Sequence, residues 1–102
     1  DAAHIAAATP GIIAIGVNCS SASDATTALR AFRDASDLPL IVYPNSGEVW
    51  NAQTRSWAGS AHSLVSYVDE WTALGAILIG GCCRVDTVEL EQIAGTVSQR
   101  RA

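Results

Sequence analysis

Three short apolar segments constrain the fold of this 102-residue chain most strongly. They are residues 12–17 (IIAIGV), 40–43 (LIVY) and 76–79 (AILI). A parallel strand that is buried on both faces has such a continuous apolar run, whereas a strand with one face in water alternates apolar and polar residues. The segments therefore predict three parallel strands of an α/β fold.

Each predicted strand is followed by a segment with the apolar spacing of an amphipathic helix. The first helix has Ser23 or Asp24 as its N-cap. The second covers residues 61–74 with Gly75 as its C-cap, and the third begins at residue 86 or 87. Strands that alternate with helices in this order indicate right-handed crossovers between parallel strands.

Only three such units are present, and residues 1–9 have the pattern of the tail of a preceding helix. An open three-stranded sheet leaves two edges unpaired, and an eight-unit barrel needs at least about 200 residues. The chain also has no methionine, even at position 1. We therefore expect it to be the C-terminal piece of a longer protein.

The composition predicts a packed domain that binds small molecules or proteins. Hydrophobic residues make up 49% of the chain and charged residues 16%. The net charge is -4, and six arginines without any lysine form no basic stripe, so we expect neither nucleic acid nor a membrane as partner. The chain has neither an apolar run long enough to cross a bilayer nor a basic leader, which predicts a cytoplasmic location.

Three cysteines follow two of the predicted strands. Cys19 comes after the first strand, and Cys82 and Cys83 come after the third. Because carboxyl ends of parallel strands meet at one rim, the three thiols can lie together and fill three of the four positions around zinc. Buried core thiols, or a disulfide between the neighbours Cys82 and Cys83, are the alternatives that spacing leaves open.

Three strings in this order resemble the homocysteine S-methyltransferase family. They are residues 16–19 (GVNC), 43–50 (YPNSGEVW) and 79–84 (IGGCCR). The second string is most similar to the branch that uses S-methylmethionine or S-adenosylmethionine as methyl donor. The resemblance implies that residues 1–102 are the C-terminal part of the family's (β/α)₈ TIM barrel and form its last three βα units. It also implies that the missing N-terminal part of the barrel is a partner of this chain.

The resemblance also implies a zinc site and a reaction. Zn²⁺ would be held by the thiolates of Cys19, Cys82 and Cys83, with the sulfur of homocysteine in the open position. A sulfonium donor would then transfer its methyl group to the homocysteine thiolate, giving methionine. No catalytic residue beyond the zinc site is expected, because a sulfonium is already an activated leaving group.

Four polar residues near the strand ends are candidates for substrate binding: Asn18, Asn45, Ser46 and Glu48. Glu48 could hold an amino group or the positive charge of the donor, or it could be a solvated loop residue. Asn18 could orient the substrate or cap the strand exit. The Asn45 and Ser46 side chains could bind substrate, but Asn-Ser-Gly is also common in turns.

The sequence leaves open two alternative functions and the roles of three further residues. A homocysteine domain that uses betaine or methylcobalamin is one alternative, although the string at residues 43–50 argues against it. A non-catalytic truncated half-barrel, or a structural zinc module, is another. Arg84 could neutralise negative charge near the sulfurs or pair with Asp86, and the indoles of Trp50 and Trp57 could wall a pocket or simply pack.

Overall fold

The structure is a computed structural model that describes residues 2–59 and 63–101. Three parallel strands form one sheet, with Leu40–Tyr43 in the middle between Ile15–Asn18 and Ala76–Ile79, and two short strands form a separate antiparallel hairpin. The α/β class and the parallel strands predicted from the apolar segments are therefore confirmed. The helices are α1 (Ala2–Ala8), α2 (Ala22–Ala35), α3 (Val68–Leu74) and α4 (Thr87–Arg101), with a 3-10 helix at Val65–Tyr67, and the strands are β1 (Ile15–Asn18), β2 (Leu40–Tyr43), β3 (Val49–Asn51), β4 (Ser56–Ala58) and β5 (Ala76–Ile79).

The first strand and the first long helix begin at different residues than the sequence predicts. Strand β1 begins at Ile15, where the backbone N–H bonds the Pro39 carbonyl oxygen, and Ile13 is 83% exposed. Pro39 has no N–H, so the ladder with β2 does not continue toward residue 12. Helix α2 begins at Ala22 because Ser21 is its N-cap and accepts from the Asp24 N–H; the prediction of Ser23 or Asp24 is wrong.

The connection between β2 and β5 contains structure that the sequence reading missed. Strands β3 and β4 pair with Trp50 opposite Trp57, and the Oδ1 atom of Asn51 accepts the N–H groups of Gln53 and Thr54 in the turn. The helix predicted over residues 61–74 is a 3-10 turn followed by α3, and its predicted start lies outside the described residues. Gly75 ends α3 with φ 109°, as predicted.

Helices α2 and α3 cover one face of the sheet, and α4 packs against α3 and the 3-10 helix. Leu29, Leu40 and Ile93 belong to this core, and Trp71 is fully buried with its Nε1 donating to Thr26 Oγ1 at 2.8 Å. Burial of these side chains provides the main stabilisation of the described unit. No helix among the described residues is long and apolar enough to cross a membrane.

The opposite face of the sheet is largely uncovered. Gly16 pairs with Ile41, and Asn18 pairs with Tyr43, which is 39% exposed. Leu78 on β5 pairs with Ile41 and is 58% exposed. Within residues 2–59 and 63–101, β1 and β5 each have a strand neighbour on one side only. Parallel sheets are normally covered on both faces, so this face and these edges lack a packing partner.

Candidate metal centre

The carboxyl ends of the three parallel strands are tied together by backbone hydrogen bonds. After β1, the Cys19 N–H donates to the carbonyl oxygen of Tyr43 at 3.2 Å. After β5, the Cys82 N–H donates to the carbonyl oxygen of Pro44 at 2.8 Å. The end of the middle strand β2 and the start of the loop after it therefore lie between the two cysteine-bearing loops and accept one bond from each.

Asn45 is the central residue of this rim. Its N–H donates to the carbonyl oxygen of Ser20 at 2.7 Å, and its side-chain Oδ1 accepts from the Cys83 N–H at 3.1 Å. The Ser46 N–H donates to the carbonyl oxygen of Cys83 at 3.1 Å. One loop thus fixes the backbone beside both cysteine positions, through two backbone N–H groups and the side-chain oxygen of Asn45.

The three cysteine sulfurs form one cluster. The Sγ atoms of Cys19, Cys82 and Cys83 all lie within 4.8 Å of one another, and those of Cys82 and Cys83 are 4.0 Å apart. Cys19 and Cys83 are exposed and Cys82 is half-buried, so the alternative of buried core thiols is wrong. A disulfide joins Cys19 to Cys82 and leaves Cys83 free, so the alternative of a bridge between the neighbours Cys82 and Cys83 is also wrong.

The donor set fits a zinc ion when the cysteines are reduced. Zn–S bonds of about 2.3 Å in a tetrahedron place neighbouring sulfurs roughly 3.8 Å apart. The sulfurs of this cluster are within 4.8 Å, so small side-chain rotations reach that spacing. Metal ligation requires thiolates, so the disulfide and a three-sulfur metal site are mutually exclusive states of the same residues.

Two residues of the rim have left-handed backbone conformations although they are not glycine. Cys19 has φ 50° and Arg84 has φ 66°. Such conformations cost about 1 kcal/mol or more and are concentrated at functional sites. Gly81, in contrast, is needed for packing, because a Cβ there would lie 2.6 Å from the Val85 Cβ.

Glu48 is held by an ion pair at the edge of the cluster. Its Oε2 accepts from Arg84 Nε at 3.0 Å and from Ser46 Oγ at 3.1 Å, and the side chain is only 19% exposed. The hydrogen bond from Arg84, with a smaller contribution from Ser46, holds the pKa of this carboxyl below its ordinary value despite partial burial. Glu48 is therefore not a solvated loop residue. It is the ion-pair partner of Arg84, for which the sequence suggested either Asp86 or the negative charge near the sulfurs.

The other three candidates for substrate binding differ in their exposure and in the hydrogen bonds that they already make. Ser46 is 4% exposed, and its Oγ also accepts from the Glu48 N–H at 3.3 Å. The Oδ1 of Asn45 is engaged by Cys83. Asn18 is exposed at the last residue of β1, next to Cys19 and on the uncovered face of the sheet. A substrate role for these residues stays a prediction.

A cavity of about 290 Å³ adjoins the cluster. Cys19 and Glu48 line it together with the indoles of Trp50 and Trp57 from the β3-β4 hairpin. From the sequence, the indoles of both tryptophans could wall a pocket or simply pack. The pairing of Trp50 with Trp57 in the hairpin brings them together next to Cys19. A larger apolar cleft of about 530 Å³ between β5 and α4 shares no lining residue with the cluster.

Comparison with known proteins finds a family and relatives that match most of this chain. The family described as "Homocysteine S-methyltransferase" matches residues 1–97. A homocysteine S-methyltransferase of Escherichia coli is 38% identical over 93 residues, which is 88% of this chain and 30% of the relative. Homocysteine S-methyltransferase 4 of Zea mays is 36% identical over 104 residues, covering 97% of this chain and 30% of the relative. The chain thus spans about a third of the length of these relatives.

Solved structures of the homocysteine methyltransferase MmuM from Escherichia coli have the same local fold. The apo form superposes with a TM-score of 0.73 at 33% identity, covering 94% of this chain and 31% of that chain. The metallated form gives a TM-score of 0.71 at 33% identity, covering 91% of this chain and 27% of that one. With the family match over nearly all of its length, this chain belongs to the homocysteine S-methyltransferase family.

Proposed function

We propose that this chain is the C-terminal part, residues 1–102, of a (β/α)₈ barrel, of which it supplies the last three βα units. The uncovered sheet face and the unpartnered edges of β1 and β5 support this proposal, because a closed barrel covers that face and pairs both edges. The relatives are about three times as long as the matched region, which leaves room for the remaining units.

The cysteine cluster is the proposed zinc site, with Cys19, Cys82 and Cys83 as ligands. Its support is the single observation that three sulfurs from two distant strand ends lie within 4.8 Å of one another. When bound, zinc would keep a coordinated thiol deprotonated at neutral pH. The site needs reduced cysteines, which is consistent with the cytoplasmic location proposed for this protein.

The proposed reaction is methyl transfer from a sulfonium donor to homocysteine. The homocysteine thiol loses its proton to solvent, and its sulfur attacks the methyl carbon of the donor in line. The bond between that methyl carbon and the donor sulfur breaks, and its electron pair stays on the donor sulfur, which becomes a neutral thioether. The products are methionine and the demethylated donor, so atoms and charge balance.

The polar residues of the rim would hold the amino-acid substrates. Glu48 is anionic at neutral pH, and its Oε1 has no hydrogen bond to a described residue, so it can accept from an ammonium group. Asn18 projects from the exposed end of β1 beside Cys19 and can donate to a carboxylate. The proposed roles of Asn45 and Ser46 are to orient the loop that carries Glu48, in addition to any direct contact.

The test uses protein expressed from the complete reading frame, kept reduced. Cys19→Ser should weaken zinc binding about 100-fold or more, since structural zinc sites gain about 10–16 kcal/mol from four ligands, and turnover should be lost with it. Ser98→Ala, an exposed change on α4, is the matched control and should alter neither. A Cys19→Ser protein with full zinc content and rate would refute the proposal.

A donor screen separates the remaining alternatives. We expect turnover of homocysteine with S-methylmethionine or S-adenosylmethionine and none with betaine or methylcobalamin. Zinc binding without turnover with any of these donors would instead favour a structural zinc module or a non-catalytic half-barrel.

A further inference from the structure

The cavity beside Cys19 has the chemistry of a site for a small organic cation. Two indoles and a carboxylate line it: Trp50, Trp57 and Glu48. The indole rings are 5.5 Å apart between centroids and inclined at 61°, so they form an open aromatic corner. Trp50 is 49% exposed and is available to a ligand.

The guanidinium of Arg84 already contacts two members of this group, Trp57 and Glu48. The guanidinium carbon of Arg84 lies 5.8 Å from the centre of the Trp57 ring, within the range of a cation–π contact. The Nε of the same guanidinium donates to Glu48 Oε2 at 3.0 Å. Arg84 does not line the cavity that contains Cys19; together with Glu48 it lines a different cavity.

We propose that this cavity binds the methyl donor and that the donor's sulfonium lies against the indole of Trp50, adjoining the Cys19 sulfur. The proposal rests on the methyl transfer proposed above. It assigns Trp50 as the residue that contacts the positive charge of the methyl donor. An amino-acid-sized sulfonium such as S-methylmethionine suits a cavity of about 290 Å³. Because Cys19 lines the same cavity, a donor bound there would lie next to the proposed zinc site and the position proposed for the acceptor sulfur.

The experiment measures binding and needs no turnover. Two ligands of the same shape are compared by calorimetry on the protein from the complete reading frame: S-methylmethionine and 2-amino-5-methylhexanoate, in which a neutral carbon replaces the charged sulfur. In Trp50→Leu the affinity ratio of charged to neutral ligand should fall about tenfold, because the cation–π attraction is lost while apolar contact remains. In Trp50→Phe, which keeps an aromatic face, the ratio should fall less.

Gln53→Ala, an exposed change in the turn of the same hairpin, is the control and should leave the ratio unchanged. An unchanged ratio in both Trp50 variants would overturn the proposal, as would an equal loss of affinity for the two ligands. If the ratio falls but homocysteine is not methylated, the cation site stands and the proposed function fails. If homocysteine is methylated and the ratio does not change, the function stands and this site fails.

Discussion

Asn45 should control zinc affinity although it is not expected to touch the metal. Its Oδ1 accepts the Cys83 N–H at 3.1 Å, and its own N–H bonds the Ser20 carbonyl oxygen at 2.7 Å. Asn45→Ala removes the first bond and keeps the second, because the second uses only the backbone. The variant therefore frees only the Cys83 N–H, because the Cys83 carbonyl oxygen still accepts from the Ser46 N–H, and the loop after β1 stays attached.

The size of the effect follows from that single hydrogen bond. A neutral hydrogen bond contributes about 1 kcal/mol net, which corresponds to roughly a fivefold change in an equilibrium constant. Cys83 is exposed, so water can replace the lost acceptor and no buried donor is left unpaired. We expect Asn45→Ala to weaken zinc binding about fivefold, far less than the loss of about 100-fold or more expected when a ligand is removed.

The assay is a competitive zinc titration against a chromophoric chelator, with the protein kept reduced. Asn51→Ala is a matched control, since its Oδ1 also accepts backbone N–H groups but in the hairpin turn. Asn51→Ala should leave zinc affinity unchanged. Wild-type affinity in Asn45→Ala, with only a raised KM for homocysteine, would refute this reasoning and make Asn45 a substrate-binding residue.

Two further predictions concern the ion pair and the core. The lowered pKa of Glu48 means that its pairing with Arg84 stabilises the folded chain above the ordinary glutamate pKa and is lost as the pH falls through the lowered value. Arg84→Gln should shift the Glu48 carboxyl titration upward in an NMR pH series, and an unchanged midpoint would contradict the assignment. Trp71→Phe should lower the free energy of unfolding in urea by about 2 kcal/mol, from a small void and a lost hydrogen bond to Thr26. Thr26→Val in the Trp71→Phe background should then cost much less than Thr26→Val alone, and additive costs would contradict the coupling.

Local sequence patterns predicted the three strands of the parallel sheet, but they did not predict every residue at which a helix or strand begins or ends. Strands β2 and β5 have the predicted bounds because each is a short apolar run next to a proline or glycine. Strand β1 is shorter than its apolar run, because its partner ladder stops at Pro39. The β3-β4 hairpin was missed, because its strands have three residues each and their pairing depends on cross-strand contact between Trp50 and Trp57.

The sequence alone determined the α/β class, the presence of three parallel strands and the position of three cysteines at strand ends, because these follow from local hydrophobic periodicity and from the rule that parallel strands share one rim. Only the tertiary structure decided that Cys19 and Cys82 are close enough for a disulfide, that Arg84 pairs with Glu48, and that Asn45 ties the cysteine loops together. These contacts join residues about 36 to 63 positions apart. They depend on strand register and loop conformation, which local patterns do not specify.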